Sequence, residues 1–205
     1  RGLPEQIGRY EIREELGRGM MGVVYEAHDP LLHRRIALKT VHLAHLVGGK
    51  EGERYQQRFL AEARIAAQLS HPGIVVVYDV GRDEKTGVLF IALEYLVGQT
   101  LASRLEGEGF ADWREALRMA GKVADALDHA HSNGVIHRDI KPANIILNVL
   151  GSAILMDFGI VKITGGQSHT ATGAMVGTAL YMPPELIRGE VPDPRADLYS
   201  LGVTL

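Results

Sequence analysis

Three glycines in the stretch LGRGMMGVVYEAHD, Gly17, Gly19 and Gly22, stand at the spacing G-x-G-x-x-G. Glycine has no Cβ, so backbone N–H groups at such positions can come close to a phosphate. Two geometries use this spacing. One is a turn that opens a helix and holds a dinucleotide's pyrophosphate; the other is a β-hairpin that covers the phosphates of a nucleoside triphosphate. The first needs a helix directly after the glycines and an acid about 20 residues further on. Here the third glycine is followed by VVYEA, β-branched and aromatic, and the window around ALKTVH holds no acid. The stretch therefore reads as strand, turn, strand, with Val24 placed beneath a nucleotide base. A glycine-rich hairpin turn without a ligand is the alternative that this stretch alone leaves open.

Two further charges fit a phosphate site. IALK puts Lys39 on the third strand, after Ala37, where an ammonium can meet phosphates. Glu62 falls in the middle of the helix that follows and could hold that lysine by an ion pair. Taken singly, a strand lysine is a solvated edge charge and a helix glutamate a surface charge.

The most specific string is HRDIKPANIIL, His137 to Leu147, followed by DFG at Asp157 to Gly159. With the glycine stretch and IALK, these motifs resemble, in order, the signature set of eukaryotic-type (Hanks-type) serine/threonine protein kinases, and look most like the bacterial members. The resemblance runs from Ile7 to Leu205. It implies a bilobal α+β fold. Residues 1–98 would form an N-lobe of antiparallel sheet plus one helix, with the hinge. Residues 99–205 would form a mainly helical, incomplete C-lobe that reaches the start of helix F.

The resemblance also implies transfer of the ATP γ-phosphoryl group to Ser/Thr hydroxyls of proteins, a reaction that asks for positioning and charge neutralisation more than covalent chemistry. By resemblance, Asp139 is the catalytic base and Lys141 lies near the γ-phosphate, a lysine that fits Ser/Thr rather than tyrosine kinases. Lys39 meets the α- and β-phosphates, with Glu62 as its partner. Asn144 and Asp157 ligate Mg2+ or Mn2+, hard ions that prefer oxygen. Leu16, Gly17, Gly19 and Gly22 belong to the loop over ATP. Val24, Ala37 and Leu147 wall the adenine, Leu93 sits behind it, and the backbone of Glu94 and Leu96 bonds its edge. Thr170 and Thr172 are expected autophosphorylation sites, modified in trans by a second copy, with Arg138 receiving the phosphate. Thr178 is expected to bond Asp139 and Lys141, His137 to pack with Phe158, Ala66 and Val77, and Asp197 to anchor the catalytic loop. Two departures stand out: Met20 replaces a glycine common in bacterial relatives, and PPE replaces the commoner Ala-Pro-Glu while keeping Glu185. A nucleotide-binding pseudokinase or scaffold is the alternative, but it would lack Lys39, Asp139 or Asp157. A small-molecule kinase would lack the GT to PPE segment.

The elements that must position these residues are legible in the periodicity. From Tyr10 to about Val41 short strand-like intervals predict a three-stranded meander. RYQQRFLAEARIAAQLS, with Phe59, Ala63, Ala66 and Leu69 at helical spacing, predicts an amphipathic helix ended near Pro72. IVVVYDVG and GVLFIALEY read as two strands joined by RDEKTG, and the texture changes near Val97 to Thr100. DWREALRMAGKVADALDHAHSNG reads as the longest helix, capped by Asp112 and closed at Asn133-Gly134. Its expected buried face is Ala116, Leu117, Ala120, Val123, Ala124, Leu127 and Ala130. NIILNV and AILMDFG are short apolar pieces, and Ile163 to Thr178 is a Gly/Ser/Thr-rich loop of functional length.

Composition removes other classes. The 22 basic and 25 acidic residues are interspersed, net −3, so there is no polybasic footprint for nucleic acid. The chain has no cysteine, hence no disulfide framework or Cys-based zinc, which fits a reducing compartment and so a cytoplasmic setting; the resemblance to bacterial kinases implies that this could be the cytoplasmic domain of a membrane receptor kinase. No run approaches the roughly 18 apolar residues of a membrane helix. His129 and His131, two apart on a helix, share no face, and His42 and His45 have no acidic or cysteine neighbour, so no metal is expected from the histidines. The first residue is not methionine and the last nine are the apolar DLYSLGVTL. We expect a piece of a longer protein, unstable or poorly active by itself.

Overall fold

Alternation of apolar and polar residues in VVYEAHD and RRIALK builds the middle of a six-stranded antiparallel sheet in the computed structural model, which describes residues 2–19, 22–41, 50–107, 109–110, 112–158 and 180–205. The strands are β1 (Gln6–Ile7), β2 (Tyr10–Gly19), β3 (Gly22–Asp29), β4 (Arg34–Val41), β5 (Val77–Arg82) and β6 (Leu89–Glu94), in the order β1-β2-β3-β4-β6-β5. Successive side chains of a strand point to opposite faces. One face therefore buries Val23, Tyr25, Ala27, Ile36 and Leu38 with Ile7, Tyr10, Phe90 and Ala92. The Tyr10 and Phe90 rings meet edge to face at 5.6 Å. The opposite face carries Val24, Ala37 and Lys39, with Val24 paired to Lys39, Ala37 to Leu93 and Lys39 to Ile91. The register thus places three residues expected around ATP side by side, next to Leu93.

Helix α1 (Lys50–Ala66) buries Phe59, Ala63 and Ala66. It starts ahead of the expected Arg54 and ends at Ala66, six residues before Pro72. The sheet and this helix form one unit, Arg1–Gln68 with Val76–Tyr95; Leu69–Val75 belongs with Leu96–Leu205 in the other. IVVVYDVG is accordingly not one strand. Ile74 bridges in parallel to Leu155, and Leu155 N–H donates to Gly73 O at 2.8 Å.

The RDEKTG turn is organised by Asp83, which is buried and accepts the Gly8 N–H at 3.0 Å, the Thr86 N–H at 2.8 Å and the Thr86 hydroxyl. The Thr86 hydroxyl, above all, holds this carboxylate below its ordinary pKa of 3.8. A depressed acid contributes stability that is present above 3.8 and lost as pH falls below it. Asp83→Ala is expected to cost about 1–3 kcal/mol at neutral pH, and less in acid, by denaturant unfolding at several pH values.

In the second unit β7 (Gly98–Thr100), β8 (Ile145–Asn148) and β9 (Ala153–Leu155) form a small antiparallel sheet. Around it lie α2 (Leu101–Glu106), α3 (Trp113–Ser132), α4 (Pro184–Ile187) and α5 (Arg195–Thr204). Thr100 caps α2 by accepting the Ser103 N–H at 3.1 Å, and Asp112 caps α3 by accepting the Arg114 N–H at 3.1 Å. The buried stripe of α3 is Met119, Ala120, Val123, Ala126, Leu127 and Ala130. Leu117, expected inside, is 54% exposed, and Ala116 and Ala124 are half-buried. Apolar residues flank the shared stripe on both sides, and packing against β9 and α5 selects the Met119 side. No helix among the described residues is long and apolar enough to cross a membrane.

Candidate active site

In the first unit the β2–β3 hairpin pairs Gly19 with Gly22 and Gly17 with Val24. The three glycines have different reasons to be glycine. At Gly22 φ is +155° and a Cβ would lie 1.8 Å from Thr40 O, so the backbone of β4 excludes any side chain there. At Gly17 and Gly19 a Cβ would meet no described atom within 4 Å, so their absent side chains leave room for a ligand. The Thr40 hydroxyl donates to Val23 O at 2.9 Å and accepts the Val23 N–H at 3.1 Å, fixing the same crossing. Gly22→Ala is expected to destabilise by about 3 kcal/mol, the upper range for overpacking. Gly17→Ala is expected to stay within about 0.5 kcal/mol of wild type while weakening nucleotide binding. Melting temperatures beside ATP titrations check both.

Lys39 is half-buried between its neighbours Val24 and Ile91. Glu62, also half-buried, adjoins Ala63 and lies three residues beyond Phe59, at the edge of the inward stripe of α1. The Glu94 N–H donates to Val76 O at 2.9 Å.

In the second unit the loop between α3 and β8 is held by side chains from three directions. Asp197, fully buried at the start of α5, accepts the Arg138 N–H on Oδ1 at 2.7 Å and the His137 N–H on Oδ2 at 2.8 Å. His131 Nε2 lies 2.8 Å from the same Oδ2. A carboxylate only accepts, so that nitrogen carries the proton. Arg138 has φ +65°, a left-handed backbone that costs a non-glycine residue about 1–2 kcal/mol. Asp139 follows directly. Asn144 Nδ2 donates to Asp139 O at 2.8 Å and to Asp139 Oδ2 at 2.9 Å, and Lys141 Nζ stands 3.1 Å from Oδ2. Both amide hydrogens of Asn144 are thereby used within the loop, and its remaining polar atom is the oxygen.

The β8–β9 hairpin brings Asp157 to this loop. Ile145 pairs with Leu155, and Met156 N–H then donates to Asn144 O at 2.9 Å. His137 Nε2 donates to Met156 O at 2.8 Å, while its Nδ1 accepts the Asp139 N–H at 3.3 Å. Only the neutral Nε2–H tautomer satisfies both bonds, and burial pushes the pKa of this imidazole down from its ordinary value. The expected packing of His137 on Phe158 is present, at 4.6 Å between centroids. Asp157 itself has φ +58°. Leu147 is half-buried on β8 and Leu96 half-buried ahead of β7. Met20, Gly159, Thr170, Thr172 and Thr178 lie outside the described residues. Spacing missed His131, whose partner is 66 positions away, and Met156, which acts only through its backbone.

The Protein kinase domain model matches residues 10–205, and the chain belongs to this family. Among curated proteins it is 43% identical over 202 residues to "Probable serine/threonine-protein kinase SCO3848" of Streptomyces coelicolor, covering 97% of this chain and 29% of that protein. It is 42% identical over 201 residues to "Serine/threonine-protein kinase PknB" of Mycobacterium tuberculosis, covering 96% and 32%. The chain therefore spans about a third or less of the length of these relatives. Among solved structures, the kinase domain of Mycobacterium tuberculosis PknI superposes with a TM-score of 0.78 at 32% identity, covering 99% of this chain and 75% of that one.

Proposed function

We propose that the protein carrying this chain transfers the γ-phosphoryl group of ATP to serine and threonine hydroxyls of other proteins. The observation that carries this reading is the carboxylate of Asp139. Asn144 and Lys141 hold it at 2.9 and 3.1 Å, in a loop fastened to Asp197 and joined through Met156 to Asp157. A carboxylate so held cannot turn away, and it orients a substrate hydroxyl and takes its proton as the oxygen attacks phosphorus. Lys141, beside it, offsets negative charge gathering on the transferred group.

Asn144 and Asp157 suit a magnesium or manganese ion. Both Asn144 N–H groups are spent on Asp139, which leaves an oxygen for a hard cation, and Asp157 follows Met156, whose N–H donates to Asn144 O. Such an ion, when bound, neutralises phosphate charge. Gly17 and Gly19, with open space where a Cβ would lie, let phosphates come close to the backbone, Leu16 belongs to the same strand, and Gly22 shapes the hairpin. Lys39, with Glu62 as partner, meets the α- and β-phosphates. Val24, Ala37 and Leu147 contact the adenine, and the Glu94 carbonyl and Leu96 backbone bond its edge. Phosphate on Thr170 or Thr172, added by a second copy, regulates the enzyme. Arg138, whose buried Nε has no hydrogen-bond partner among the described residues, receives it. The lack of cysteine fits a reducing compartment, and we place the domain in the cytoplasm, by itself or as the cytoplasmic domain of a membrane receptor kinase.

Full-length protein incubated with ATP, magnesium and a generic protein substrate should acquire phosphate at Thr170 or Thr172 by phosphopeptide mapping and place it on the substrate. Nucleotide binding with phosphate on neither would point to a pseudokinase.

A further inference from the structure

The geometry points to Arg35 as a positioning residue for nucleotide recognition, holding the Tyr95 ring and with it the backbone that runs from Glu94 to Leu96. This inference rests on the kinase reading above, in which the backbone of Glu94 and Leu96 bonds the purine edge. Strand β6 ends at Glu94, and residues 95–97 belong to no strand or helix, so no ladder fixes their backbone. Tyr95 is also the last residue of the first unit, and Leu96 begins the other. What Tyr95 is fastened to therefore decides where the Leu96 backbone starts.

The fastening comes from β3 and β4. Ala37 pairs with Leu93 on one side and with Glu26 on the other. Residues two apart on a strand share a face, so Arg35 lies beside Glu26 on the face that carries Val24 and Ala37. From there its guanidinium carbon stands 3.9 Å from the centroid of the Tyr95 ring, the stacked arrangement that a planar cation prefers on an aromatic face. Arg35 Nη1 is 3.8 Å from Glu26 Oε2, and the Glu26 side chain, 18% exposed, keeps the cation over the ring. Glu14 pairs with Glu26 across β2 and β3 and adds a second negative charge beside the guanidinium. Burial first, and then the Glu26 carboxylate, raise the pKa of the Tyr95 phenol from its ordinary 10.0, so the hydroxyl keeps its proton near that acceptor. Asp139, Lys141 and Asn144 belong to the other unit, so loss of the clamp should fall on ATP affinity and not on kcat. A positioning contact cannot add more to affinity than it is itself worth, and an exposed cation–π contact is worth about 2- to 5-fold in an equilibrium.

The test uses full-length protein with Arg35→Met, which keeps the apolar stem and removes the charge, Arg35→Lys, which keeps a cation, Tyr95→Leu, and Arg35→Met combined with Tyr95→Leu. In Arg35→Met the Kd for ATP by calorimetry is expected to rise about 2- to 5-fold, with kcat at saturating ATP within about 1.5-fold of wild type. Arg35→Lys should recover most of the affinity. With Tyr95→Leu already present, Arg35→Met should change Kd by less than about 1.5-fold, because the ring it acts through is gone. Amide exchange at Leu96 should be faster in Arg35→Met and near wild type in Arg35→Lys. Wild-type ATP affinity in Arg35→Met, a loss as large in the Tyr95→Leu background as in wild type, or a loss confined to kcat would overturn the assignment. If wild type binds ATP and transfers no phosphate, the kinase reading fails instead and the ATP titrations still decide. If wild type binds no ATP, exchange decides: an unchanged rate at Leu96 in Arg35→Met rejects the role of Arg35.

Discussion

Asp139→Asn is expected to lower kcat by about 10³-fold, within the range for loss of a general base, while ATP affinity stays within about twofold of wild type. The substitution is nearly isosteric. An asparagine carbonyl can still accept from Asn144 Nδ2, now 2.9 Å from Oδ2, so the loop keeps its internal bond. What is lost is the charge that faces Lys141 at 3.1 Å and the ability to take a hydroxyl proton. Those belong to the transfer step and not to nucleotide binding, which fixes the sign of the split between kcat and KM. Steady-state kinetics with a protein substrate and calorimetric ATP titration measure it. A variant that keeps more than about a tenth of wild-type kcat would remove Asp139 from its role.

Asp197→Ala is expected to abolish measurable transfer and to destabilise the fold by about 3–5 kcal/mol, the cost of breaking a buried charge network. The alanine leaves the His137 N–H, the Arg138 N–H and His131 Nε2–H without their acceptor, and each unsatisfied buried donor costs about 1–3 kcal/mol. The strained φ of Arg138 then has nothing to hold it. Thermal unfolding and amide exchange of the full-length variant test the prediction. A melting temperature equal to wild type, with protected amides at 137 and 138, would contradict the network.

Local chemistry was legible wherever it lies in one stretch of chain. HRDIKPAN carries the acid, the lysine and the amide that the loop brings together, and the strand after Gly22 correctly separated a hairpin from a helix-opening turn. What the sequence hid depends on partners distant in the chain. Nothing in the types or spacing of Gly17, Gly19 and Gly22 tells that Gly22 is excluded by Thr40 O while the others face open space. The α3 stripe was misjudged at Leu117 because apolar residues flank it on both sides and only β9 and α5 decide between them. Strand β7 and helix α2 were missed: β7 has three residues and α2 six, too short for a periodic signal. His131 looked like one of nine histidines until α5 placed a carboxylate 2.8 Å away.

The most direct test is to supply full-length protein with ATP labelled at the γ-phosphate, magnesium and a protein acceptor, and to identify the labelled amino acid. Wild type should place label on serine or threonine, and Asp139→Asn at equal ATP occupancy should place almost none. Label confined to a small molecule, or equal labelling by the two proteins, would contradict a Ser/Thr kinase centred on Asp139.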